Sequence, residues 1–187
     1  MPGSRGGELA RLVEPFLQTA VKLHKTDAEL HFVAPMITEK RLQQFNGIKA
    51  KIAPDLPVTC FVNQTQDVMA AADCLMIASG TVTLEAALIK RPMVVVYKVN
   101  WLTYYLIRKM ITLKWFSLPN LMVNKELIPE LIQLDVDVEH IYPLIHERLY
   151  QDQSHLIDSF TKIHLELKQN ASEKSANAVI ALMTTEG

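Results

Sequence analysis

Cysteine is nearly absent: only Cys60 and Cys74 occur in 187 residues, and both sit in apolar, strand-like runs. Buried free thiols are therefore expected in place of a disulfide or a catalytic nucleophile. No Cys-x-x-Cys pair and no clustered histidine spacing supplies a ligand set, so neither a metal nor a cofactor is expected. Charge of one sign is lacking as well. The chain has 19 basic and 20 acidic residues, a formal net charge of -1, which argues against a nucleic-acid partner. No apolar run is long enough to cross a membrane as a helix, and the first residues do not resemble a signal peptide. A cytoplasmic protein is the expectation. Internal repeats and low-complexity segments are missing too. What is present is ordinary: 49% hydrophobic and 21% charged residues, enough for the core of one domain, with or without an appendage.

The stretch Ser79-Gly80-Thr81-Val82-Thr83-Leu84-Glu85 organises the rest. It follows the apolar run Cys74–Ala78, which reads as a buried parallel strand, and leads into Ala86–Lys90, which reads as helix up to Pro92. A small-residue turn between strand and helix exposes backbone N–H groups at the positive end of the helix dipole, a seat for phosphate. Glu85 can only accept hydrogen bonds, which suits the two hydroxyls of a ribose. An ordinary turn with a solvated glutamate would look the same.

Near the amino terminus, Leu9, Leu12, Val13, Phe16, Leu17, Ala20 and Val21 recur at helical spacing and predict a helix to Lys25, kinked by Pro15. Ser4 or the neighbouring glycines can cap it, leaving Gly3, Ser4 and Arg5 beside free N–H groups. Arg5 could fork onto a diphosphate there or lie in solvent. Strands are predicted at Glu29–Ala34, Pro57–Val62 and Pro92–Tyr97, and helices at Thr38–Phe45 and Thr65–Ala72. The alternation implies an α/β fold, a Rossmann-like doubly wound parallel sheet with ligands at the carboxyl ends of its strands. A strand feeding the first helix is expected upstream of Pro2. Trp101–Ile111 reads as a helix apolar almost all round, suited to a membrane interface or, preferably, to burial between domains or subunits. Ser117–Leu121 reads as a loop presenting Asn120, and Pro129–Gln133 as a helical turn ending at Gln133. Three helices follow, at Val138–Tyr150, Ser154–Lys168 and Ala171–Met183. Leu156, Ile163, Leu167 and Ile180 on their apolar faces are expected to need a partner.

Taken in order, Pro2-Gly3-Ser4-Arg5 with Glu8, Ala71-Ala72-Asp73 leading to Ser79–Glu85, Lys90–Lys98, Ser117-Leu118-Pro119-Asn120 and Pro129-Glu130-Leu131-Ile132-Gln133 resemble the carboxyl-terminal half of the lipid-A-disaccharide synthases. The resemblance implies an inverting glycosyltransferase of the GT-B type, which joins UDP-2,3-diacylglucosamine to 2,3-diacylglucosamine 1-phosphate and releases UDP. In its terms residues 1–134 are the UDP-sugar-binding domain, and 135–187 a helical tail that packs on an amino-terminal domain or a partner subunit. It implies Arg5 as the catalytic cation. Gly3, Ser4, Ser79, Gly80, Thr81, Glu85, Asn120 and Gln133 become substrate contacts. His31 and Lys98 are weaker candidates. The acceptor site and general base are expected from the amino-terminal half. Implied partners are the two lipid substrates, the cytoplasmic face of the inner membrane, contacted peripherally, and a segment-exchanged second copy. A UDP-sugar 2-epimerase and a non-catalytic UDP-binding fragment are the alternatives.

Overall fold

The computed structural model describes residues 1–101, 103–105 and 114–185. Helix α1 (Gly6–Thr26) is followed by β1 (Phe32–Met36), α2 (Glu39–Ile52), β2 (Val58–Val62), α3 (Thr65–Ala71), β3 (Leu75–Ala78), α4 (Val82–Leu88) and β4 (Met93–Tyr97). After an excursion come α5 (Leu118–Val123), β5 (Glu130–Ile132), a 3-10 turn (Gln133–Asp135), α6 (Val138–Tyr150), α7 (Ser154–Leu167) and α8 (Ala171–Thr185). Among the described residues every strand pair is parallel: β1 with β2 in one sheet, and β3, β4 and β5 in that order in another. The Rossmann-like α/β alternation expected from the sequence is what the chain builds.

Helix α1 ties the two sheets together through two adjacent stripes. Leu9, Val13, Leu17 and Ala20, spaced by four, four and three, pack with Ala34 and Met36 of β1 and Phe45 of α2. Leu12, Phe16 and Leu23 pack with Ala78, Val94 and Val96 of the second sheet and with Ile141 and Ile145 of α6. Two stripes offset by one helical step let one helix face both sheets. Pro15 lies within α1, and the buried Thr19 hydroxyl donates to its carbonyl at 2.8 Å. The central strand β4, Met-Val-Val-Val-Tyr, is buried along most of its length, as a β-branched run covered on both faces should be.

Several sequence expectations change. The helix expected at Thr38–Phe45 runs on to Ile52, started by Thr38, whose hydroxyl accepts from Arg41 N. Ser117–Leu121 is not a loop but the start of α5, because Pro119 in a first turn sacrifices a donor that has no intrahelical partner. Residues 130–132 are strand, not helical turn: Glu130, Leu131 and Ile132 pair with Val95, Val96 and Tyr97 on the edge of β4. Sheet pairing overrides weak local preference there. Leu156 and Ile163 need no outside partner, since with Phe160 they are buried against Ala86 and Ala87 of α4. Two alanines let α7 come close, and each large side chain so buried contributes about 1.5–3 kcal/mol. Leu167 and Ile180 remain 41% and 57% exposed. Most of the helix expected at Trp101–Ile111 lies outside the described residues. Both cysteines are free thiols, and burial pushes that of Cys74 up to about 12.

Candidate functional site

At the carboxyl ends of β1 and β3 a cleft of about 600 Å³ opens between the first turns of α1 and α4. Its walls include Gly3, Ser4, Arg5, Glu8, Ser79, Gly80, Thr81 and Glu85, so two distant segments of the sequence meet in one place. Asn120 and Gln133 are not among its walls.

The Gly3–Arg5 turn is shaped by Glu8. Its Oε2 accepts from the backbone N–H of Ser4 (2.9 Å) and of Arg5 (3.1 Å), and its Oε1 lies 3.6 Å from the Arg5 guanidinium. Gly3 has φ +95°, and a Cβ there would stand 2.4 Å from that same Oε2, so glycine is required by both backbone and carboxylate. The Arg5 side chain is 85% exposed, leaving its guanidinium able to turn toward a ligand. The Ser4 and Arg5 amides are spoken for, whereas no acceptor is paired with the N–H of Gly6 or Gly7 among the described residues.

Across the cleft, the Ser79 N–H donates to Val96 O (2.8 Å) and its hydroxyl to Phe116 O (3.2 Å). The next amides, of Gly80, Thr81 and Val82, have no acceptor among the described residues and open α4. Gly80 has an ordinary φ, and a Cβ there would meet nothing within 4 Å. The chain's own packing gives no reason for glycine at this position; a ligand approaching the backbone closely would. Glu85, in the first turn of α4, is exposed, and its carboxylate accepts no hydrogen bond from another described residue.

Ile37, Thr65 and Gln66 are among the cleft residues that sequence reasoning missed. Ile37 follows β1 directly, and Thr65 and Gln66 open α3, all at carboxyl ends of strands where ligands collect. Position after a strand was the available signal. Met1 is the other surprise: its amine donates to Met76 O (2.6 Å) and its carbonyl accepts from Ala78 N (3.0 Å), as a parallel neighbour of β3 would. Burial lowers the Met1 amine to about 5.

Asn120 and Gln133 are buried and bonded elsewhere, at 0% and 4% exposure. Asn120 Oδ1 accepts from Leu127 N (2.8 Å) and Ile128 N (3.0 Å), while its amide donates to Ile128 O and Glu130 Oε1, both 2.8 Å. Gln133, at φ +53°, brackets Val99: Oε1 accepts from its N–H (2.7 Å) and Nε2 donates to its carbonyl (3.3 Å). Lys98 Nζ donates to Val136 O (3.3 Å), and His31 precedes β1, at the opposite end of the strand from the cleft. Among the described residues no group of three or more His, Cys, Asp or Glu could hold a metal ion, and no helix is long and apolar enough to cross a membrane.

Parallel strands alternating with helices, with a cleft at the strands' carboxyl ends, define the class: a Rossmann-like α/β domain with a cleft where such domains hold their ligands. Comparison with known sequences narrows this. The chain belongs to the lipid-A-disaccharide synthetase family, whose model matches residues 1–183. It is 60% identical over 185 residues to the lipid-A-disaccharide synthase of Colwellia psychrerythraea, covering 99% of this chain and 47% of that protein. The corresponding enzyme of Idiomarina loihiensis is 46% identical (96% of this chain, 47% of the relative), and that of Aliivibrio salmonicida 42% (100% and 49%). The chain thus spans about half the length of the curated relatives it matches.

Proposed function

We propose that this chain is the donor-binding half of a glycosyltransferase that joins UDP-2,3-diacylglucosamine to 2,3-diacylglucosamine 1-phosphate, giving lipid A disaccharide 1-phosphate and UDP. The observation that carries the reading is the convergence of Gly3–Arg5 and Ser79–Glu85 on one cleft in a chain of this family. UDP departs with added negative charge on its diphosphate, and stabilising such developing charge is usually the largest catalytic term. Arg5 supplies the cation. The free amides of Gly80, Thr81 and Val82, with those of Gly6 and Gly7, supply donors that need no reorganisation. Glu85 accepts from the ribose hydroxyls.

In this reading the acceptor site and general base come from the half of the relatives' length that lies outside this chain. Residues 1–134 hold the donor, and within 135–187 helices α6 and α7 brace that domain while α8 offers a surface to another domain or a second copy. Acylated substrates draw the enzyme to the cytoplasmic face of the inner membrane, as a peripheral protein. The test is disaccharide synthesis by the full-length enzyme containing these residues in excess EDTA. Full activity is expected, since Arg5 and backbone amides carry the charge; a loss that magnesium restores contradicts the reading.

A further inference from the structure

Glu130 stands outside the cleft, yet its side chain reaches the cleft wall through a single peptide unit. Its Oε2 accepts from Phe116 N (2.7 Å), and its Oε1 accepts from Ser117 N (2.9 Å), Ser117 Oγ (2.6 Å) and Asn120 Nδ2 (2.8 Å). A carboxylate only accepts hydrogen bonds, and here four donors converge on it, three of them on Oε1. The backbone of Glu130 is fixed in β5 opposite Val95 of β4, so the carboxylate hangs from the sheet. The Phe116 ring stacks on Tyr97, the last residue of β4, at 5.9 Å and 15°.

The peptide linking Phe116 to Ser117 is the connection. Its N–H points at Glu130 Oε1 and its carbonyl accepts from Ser79 Oγ at 3.2 Å. Peptide planarity fixes these two bonds on opposite sides of one rigid unit. An anion at the N–H end also polarises the carbonyl, which strengthens its hold on the Ser79 hydroxyl. The Ser79 proton is thereby engaged at Phe116 O, and its lone pairs remain for a donor on the ligand.

We propose that Glu130 is a positioning residue of the cleft: through the Phe116–Ser117 peptide it sets the orientation of Ser79 and of the free amides that follow. The inference rests on the donor-site reading for its ligand, but its geometry stands apart from it. Glutamine cannot replace Glu130 silently. Whichever way its amide turns, an NH2 group faces a backbone N–H, and at least one of the four donors loses its acceptor.

The test is a double-mutant cycle on the 187-residue chain, with UDP as the probe. Glu130→Gln is expected to raise the dissociation constant for UDP about tenfold, and Ser79→Ala to raise it comparably. In the Ser79→Ala background Glu130→Gln should add little. Additive losses, or no loss from Glu130→Gln, overturn the proposal, because a brace that merely supports the fold would not depend on Ser79. If Glu130→Gln does not fold, Glu130→Asp, which keeps the charge but withdraws it by one methylene, takes its place in the cycle. Should the wild-type chain not bind UDP, the donor-site reading falls. Glu130 is then judged by amide hydrogen exchange at Ser79–Val82 in the unliganded chain. Faster exchange in the variant upholds its role, and unchanged exchange refutes it.

Discussion

Glu85 and Gly80 are adjacent in function and alike in how little the fold asks of them. Glu85 is exposed, so Glu85→Ala should leave the fold intact and weaken UDP by about 1.5–3 kcal/mol, the range for hydrogen bonds to a charged group. Gly80 would accept a Cβ without contact in the unliganded protein, so Gly80→Ala should also fold normally while losing UDP affinity through the intruding methyl. Both are read by thermal melting and UDP titration together. A folded Glu85→Ala chain with undiminished affinity would return that side chain to the role of a solvated helix residue. The two motif residues that behave differently are instructive. A polar residue in a loop-like stretch reads as a ligand contact, and the sequence of Asn120 and Gln133 carries no sign that neighbouring backbone groups consume them. Burial decides their role: Asn120 is taken up by Leu127, Ile128 and Glu130, and Gln133 by Val99.

At the scale of elements, the strands and helices that follow from strong periodicity came out near their expected bounds, α6 at Val138–Tyr150 among them. Those that depend on tertiary pairing did not. The strand β5 exists because β4 presents a free edge to Glu130–Ile132, and no local pattern announces that edge. Helices α6 and α7 were legible as amphipathic, but not which surface they cover: Ile141 and Ile145 lie on the second sheet, and Phe160 on α4. Helix α8 is the exception. Val179 is 57% exposed there, and on the neighbouring α7 Leu165 is 65% exposed. Exposed apolar side chains on two successive helices favour association with a partner or surface. The chain is therefore expected not to remain a dispersed 21.2 kDa species: light scattering should show self-association, or attachment to added acidic-lipid vesicles. A monodisperse chain that ignores the vesicles contradicts this.

For the molecule as a whole, the division of labour follows from α1, one helix that packs on both sheets and begins at the cleft. Its first turn brings Arg5 opposite the turn after β3, so the packing of α1 is what brings the two turns together. The parallel order and the amide-rich turns could be read from the sequence, because alternation and small residues announce them. The meeting of the two turns could not, since it needs the two-stripe packing of α1. The most direct measurement of the central claim is a residue-resolved NMR titration of this chain with UDP. Saturable binding is predicted, with shifts concentrated at Gly3–Gly7 and Ser79–Glu85 and abolished by Arg5→Ala. No saturation, or shifts that leave both turns untouched, would contradict the account.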